Sequence, residues 1–89
     1  MRESDIENYL HGRIKALGGK CRRMQWICRS GAPDDFVMLP GRHCMVECKR
    51  PGMKPGIAQA REHASLRAAG CEVYVVSTFA EIDSIFPPP

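Results

Sequence analysis

Long hydrophobic runs are missing from this sequence of 89 residues. No stretch approaches the roughly 18 to 20 consecutive apolar residues of a membrane span, and the opening Met1-Arg2-Glu3-Ser4-Asp5 lacks the apolar core of a signal peptide. Both absences predict a soluble, cytoplasmic protein with no membrane partner. Internal repeats and low-complexity stretches are also missing, apart from Pro87-Pro88-Pro89. The length leaves no room for a second domain, so residues 1–89 are expected to form one. Five cysteines are an odd number, and Cys44 and Cys48 fall inside a predicted strand, which disfavours a secreted disulfide framework and suits a reducing compartment. His11, His43 and His63 are scattered, and no Cys or His pair has zinc-site spacing.

What is there is ordinary globular composition, 44% hydrophobic and 26% charged, with a net charge of +3. The charge is unevenly placed. Residues 1–54 carry eleven of the thirteen Lys and Arg against six of the ten acids, a balance of +5, and the remainder carries −2. A basic surface over the first part of the chain is compatible with solvation alone or with a polyanionic partner.

Ser4 and Glu7 form a capping-box pattern ahead of Ile6, Leu10, Ile14 and Leu17, whose spacing predicts a first helix stopped by Gly18-Gly19. A strand is predicted over Lys20 to Cys28, a loop over Arg29 to Pro33, and a second strand from Asp34 to Leu39 turned by Pro40-Gly41. In a third strand, His43 to Lys49, alternation puts Cys44, Val46 and Cys48 on one face and Met45, Glu47 and Lys49 on the other. A loop rich in proline and glycine leads to a helix from about Ile57 to Ala69. Cys71 to Ser77 is nearly all apolar and reads as a strand buried on both faces. Thr78 and Glu81 then cap a short last helix that buries Phe79, Ile82 and Phe86. The order α, β, β, β, α, β, α predicts a mixed sheet flanked by helices, with the third and fourth strands parallel.

Glu47 and Lys49 share one face of their strand, about 6 to 7 Å apart. Asp34, at the start of the partner strand, can bring a second carboxylate to the same place. Two carboxylates suit a hard divalent ion, Mg²⁺ or Mn²⁺, and a lysine beside them can offset negative charge developing on a phosphorus under attack. Taken singly, Glu47 and Lys49 fit a solvated strand and Asp34 a turn. Together they point to phosphodiester hydrolysis, because the segment between them is one hairpin long. Arg22, Arg23, Arg29, Arg42, Arg50 and Lys54 border the site in the chain, as phosphate-positioning residues do.

Gly31-Ala32-Pro33-Asp34, then Val46-Glu47-Cys48-Lys49-Arg50-Pro51-Gly52, Gln59 in the next helix, and Leu66-Arg67-Ala68-Ala69-Gly70 before an apolar strand resemble the VRR-NUC (virus-type replication-repair nuclease) family of the PD-(D/E)XK nuclease superfamily. The resemblance covers nearly the whole chain and implies an αβββαβ nuclease core. By position it makes Asp34 the acid of the G-x-P-D motif, Glu47 and Lys49 the E-x-K pair, and Gln59 a glutamine lining the site. It implies that Asp34, Glu47 and the backbone carbonyl of Cys48 hold Mg²⁺ or Mn²⁺, with no small-molecule cofactor. Glu7 matches an acid of the family's first helix, and the capping box explains it equally. Asp35 stands where the family places other residues and is assigned no ligand role.

The expected function is therefore a metal-dependent endodeoxyribonuclease in DNA repair, of phage or bacterial origin. Resemblance to Holliday junction resolvases implies a homodimer acting on branched DNA. The candidate pairing surface is the first helix and the first strand, including Tyr9, Trp26 and Ile27, with Trp26 fitting the core equally. Arg22, Arg23, Arg29, Arg50 and Lys54 are the expected DNA contacts. A catalytically inactive DNA-binding module on the same fold, or a non-selective nicking nuclease, are the alternatives. A sequence-specific restriction enzyme fits less well, since so short a chain has little material for reading bases.

Overall fold

The computed structural model describes residues 1–89. Helix α1 spans Glu3–Ala16, and its residues Ile6, Leu10 and Ile14 lie on one face because four residues advance little more than one turn. All three are fully buried. The helix starts earlier than the capping pattern predicts. Arg2 is the N-cap residue, and the Arg2 backbone N–H donates to Asp5 Oδ2 at 2.7 Å. Ser4 is thus inside the helix, and Glu7 is free of any capping role.

Four strands follow in the order β1 (Lys20–Arg23), β2 (Asp35–Leu39), β3 (Arg42–Cys48) and β4 (Val73–Val76), which is also their order across the sheet. The first three pair antiparallel, with Gly41 turning β2 into β3 at φ 75°. β3 and β4 are parallel, joined through helix α2 (Ile57–Ala68). Helix α3 (Phe79–Ile85) closes the chain, its N-terminus capped by the Thr78 hydroxyl, which accepts from Glu81 N–H at 3.1 Å. No helix is long and apolar enough to cross a membrane.

Val37, Cys44, Val46, Cys48 and Val76 meet α1 and α3 on one side of the sheet, packing with Ile6, Leu10, Ile14, Ile82 and Phe86 into the core. Each fully buried Leu or Ile there contributes about 1.5 to 3 kcal/mol. Tyr9 stacks on Phe79 at 4.0 Å and donates to Asp83 at 2.7 Å, and Arg13 donates to the Phe86 carbonyl at 2.7 Å, which fastens α1 to α3. Helix α2 covers the other side with polar contacts: Glu62 and His63 are its buried residues.

Two strand expectations change. β1 stops at Arg23 rather than Cys28, since after Met24 N–H reaches the Asp34 carbonyl at 2.8 Å the chain leaves the ladder and turns, with Cys28 at φ 61°. β4 is an edge strand and not a doubly buried one: Val73 and Val76 are buried, while Tyr74 and Val75 are only partly covered. The apolar run reflects α2 lying over one face and α3 near the other, with nothing paired beyond the edge.

Candidate active site

Asp34 is the last residue before β2, and the loop that delivers it is pressed against α2. Gly31 has φ +85°, and a Cβ there would lie 2.7 Å from the Ala58 carbonyl oxygen, so glycine is required by both the backbone and the close approach. Pro33 is buried. The result is an Asp34 carboxylate within hydrogen-bonding reach of Glu47.

Glu47 is central. It leaves β3 on the face opposite Val46 and Cys48 and is 2% exposed. Lys49 Nζ stands 3.5 Å from Glu47 Oε2, and Gln59 Nε2 donates to the same oxygen at 3.4 Å. Gln59 is held by its own helix: its Oε1 accepts the Gly56 N–H at 3.2 Å, which caps α2 and turns the amide nitrogen toward Glu47. Glu47 Oε1 is buried without a partner. Its neighbour is Asp34, and two ionised carboxylates are both acceptors, so neither satisfies the other. Burial, then the charge of Asp34, push the Glu47 carboxyl up from 4.5 to about 7, against the pull of Lys49.

An orphaned buried carboxylate oxygen beside a second carboxylate fits a hard divalent cation, which would satisfy Oε1 and relieve the repulsion. Asp34 and Glu47 both offer oxygen donors to it. Cys48 points its sulfur into the core at 1% exposure, so only its backbone carbonyl is available to a ligand.

The fold thus brings together Asp34, Glu47, Lys49 and Gln59. Glu7 goes elsewhere. Its carboxylate reaches Asp35, and Arg23 Nη1 lies 3.1 Å from its Oε1, on the α1 side of the sheet. Burial and Asp35 push Glu7 up to about 7. Of the basic residues, Arg22 bonds only its neighbour's carbonyl, and Arg50 and Lys54 are exposed beyond Lys49. Arg29, though 60% exposed in its side chain, is committed to Glu62 at 2.9 Å, and Arg42 to the Ile85 carbonyl at 3.0 Å and to Glu72. Arg23, Arg29 and Arg42 therefore have protein partners, which weakens them as phosphate contacts.

Sequence reasoning missed two groups. His63 is 1% exposed with Nε2 unpartnered, and burial, then the charges of Arg67 and Lys49, hold it below its usual range, giving a neutral imidazole behind the site. Its place in α2, four residues after Gln59 and so on the same helix face, was the available signal. Asp35, to which the sequence assigned no role, is fully buried and accepts from His11 Nε2 at 2.8 Å. Alternation from Val37 was the signal there, since it sends Asp35 into the core.

No protein-family model matches the chain. The chain is 41% identical over 88 residues, spanning 98% of this chain and 94% of the relative, to a protein described as "Putative nuclease p44" of Acyrthosiphon pisum secondary endosymbiont phage 1. It superposes with a TM-score of 0.87 on a solved structure described as "VRR_NUC domain", at 40% identity, covering 93% of this chain and 91% of that one. With identity at this level over nearly the full length of both, and the same strand and helix arrangement, the chain belongs to the VRR-NUC family of nucleases.

Proposed function

We propose that this nuclease is a Mg²⁺- or Mn²⁺-dependent endodeoxyribonuclease that hydrolyses phosphodiester bonds by in-line attack of water. The observation that carries the reading is the unpartnered, buried Oε1 of Glu47, a carboxylate that has Asp34 as its neighbour and Lys49 against its other oxygen. Asp34, Glu47 and the Cys48 carbonyl would hold the ion, which when bound supplies Lewis-acid polarisation of the phosphoryl oxygen. Lys49 orients the attacking water and offsets charge building on the phosphoryl group. Gln59 positions Glu47. Glu7 lies outside this set, against Asp35. Arg22, Arg50 and Lys54, which have no carboxylate partner, position the DNA backbone.

The working unit is a homodimer selective for branched DNA. Extents of 35 × 31 × 21 Å give one chain little surface to grip two duplex arms, and pairing two copies doubles both the sites and the basic surface. Ile27 and Ile57 are 91% and 76% exposed, each adjoining a residue (Cys28, Ala58) that lines one shallow cleft, and they are the apolar side chains such an interface would cover. Tyr9 is not available for it, being stacked on Phe79.

The test incubates the purified chain with labelled duplex, flap, single-stranded and four-way DNA, with Mg²⁺, with Mn²⁺ and with chelator. Cleavage restored by either metal and strongest on four-way DNA is the expected result, with light scattering returning twice the 9.9 kDa chain mass. Full activity under chelation overturns the mechanism. A monomeric mass with equal cleavage of linear and branched DNA leaves a non-selective nicking nuclease.

A further inference from the structure

We propose that His11, Cys21 and Asp35 form a second metal site, on the face of the sheet away from Glu47, that takes a borderline divalent ion of the zinc class. The three come from three elements, α1, β1 and β2, and their ligand atoms all lie within 4.8 Å of one another. His11 Nε2 is 2.8 Å from Asp35 Oδ1, and Cys21 Sγ is 3.9 Å from the same oxygen. Bonds of about 2.0 to 2.3 Å to a tetrahedral ion place neighbouring ligand atoms about 3.3 to 3.8 Å apart, so the observed spacings bracket what is needed. Closure requires that the histidine and the carboxylate part by about half an ångström and that His11 Nε2 and Cys21 Sγ, which lie within 4.8 Å, approach by up to about 1 Å, both within side-chain rotation.

A hydrogen-bonded trio alone leaves one fact unexplained. Asp35 is fully buried, and its Oδ2 has no partner. Its other neighbour is the Glu7 carboxylate, again an acceptor when ionised. A cation held by both carboxylate oxygens, or by Oδ2 after rotation of the carboxylate, satisfies Asp35 and gives the second carboxylate an electrostatic reason to be there. The imidazole and thiol separate this site from the all-oxygen one, since nitrogen and sulfur donors favour zinc over Mg²⁺. An open cleft lined by His11, Lys15, Gly19, Lys20, Cys21 and Arg22 gives the ion a way in, past three basic side chains whose charge the Asp35 and Glu7 carboxylates oppose, and leaves a fourth position to water. Binding exchanges the Cys21 thiol proton, released to solvent, for a metal–sulfur bond. The ion would staple α1 to β1 and β2 from behind the strand whose first residue follows Asp34.

Cobalt, a spectroscopic stand-in for zinc, tests this with the full reduced chain carrying Glu47→Gln to silence the other site. One equivalent of Co²⁺ should give a thiolate-to-cobalt charge-transfer band, displaced by Zn²⁺. Cys21→Ser should abolish the band and His11→Gln should weaken Co²⁺ binding at least about tenfold, while Cys28→Ser, which removes the exposed cysteine, leaves both unchanged. If Cys21→Ser fails to fold, His11→Gln decides, because that side chain is 35% exposed and its loss leaves the core intact. A missing band, a band lost in Cys28→Ser, or unchanged affinity in His11→Gln overturns the proposal and leaves a buried hydrogen-bond network.

Discussion

Asp34 and Asp35 are adjacent in the chain, yet their carboxylates act on opposite faces of the sheet. Asp34 reaches Glu47 under α2, and Asp35 reaches His11 under α1. The alternation of a strand is the cause: Asp35 pairs with Val46 and shares its face, while Glu47, one residue on, points the other way. One Asp-Asp dipeptide therefore feeds two separate clusters, each holding a buried carboxylate oxygen without a donor.

Neutralising the first cluster should remove chemistry and spare binding. Asp34→Asn and Glu47→Gln keep shape and lose charge, and Lys49→Ala removes the cation. Each is expected to slow single-turnover cleavage by about 10² or more, equivalent to about 2.7 kcal/mol, while DNA affinity in a gel-shift assay changes little. Near wild-type turnover in Lys49→Ala would make that lysine a surface residue.

The pH dependence has a definite sign. Burial and Asp34 raise Glu47 from 4.5 to about 7, so the folded protein holds more protons than the unfolded chain between those values. Stability of the metal-free protein therefore falls as pH rises through that window, and Glu7, raised likewise by burial and Asp35, adds to the fall. Glu62, Glu72 and Glu81 are lowered by their donors, and their contribution is lost only on the acid side of 4.5. His63, held below its usual 6.5 chiefly by burial, acts in the opposite sense on the acid side of that value. Melting curves in chelator should therefore show a lower Tm at about pH 8 than at about pH 6.5, Mg²⁺ should stabilise more at the higher pH, and Glu47→Gln should flatten both trends.

Gly31→Ala should couple stability to activity. A methyl group at φ +85° is strained and meets the Ala58 carbonyl at 2.7 Å, so the loop must lift from α2. The expected destabilisation is about 1 to 3 kcal/mol, with cleavage reduced because Asp34 moves away from Glu47. Thermal melts and cleavage rates on the same preparation check it, and Gly52→Ala, with φ +86° but open space around its Cβ, should cost stability alone.

Arg50→Ala combined with Lys54→Ala should reduce the slope of log affinity against log salt by about 1.8 for duplex DNA, if each contacts one phosphate. Arg29→Ala should instead leave the slope unchanged and destabilise the loop through the loss of its Glu62 partner. Fluorescence anisotropy over a salt series separates the two outcomes.

The element order, the parallel crossover and the core face of β3 were legible in the sequence, because periodicity, glycine stops and alternation are local properties that the chain keeps wherever it packs. The ordered motifs around Asp34, Glu47, Lys49 and Gln59 were legible for a related reason: a hairpin of fixed length must bring its ends together. Local pattern misjudged Ser4, since a capping box is defined by four residues and Asp5, by accepting the Arg2 N–H, starts the helix two residues earlier. It misjudged β4, since an apolar run does not say whether another strand lies beside it. What only the tertiary structure decided is partnership. His11, Cys21 and Asp35 sit far apart in the chain and carry no recognisable spacing, and Arg23, Arg29 and Arg42 look like free cations until Glu7, Glu62 and Glu72 are found against them. A charge's role depends on which opposite charge or empty orbital stands within a few ångströms, and that distance is set by packing between elements, which no local pattern encodes.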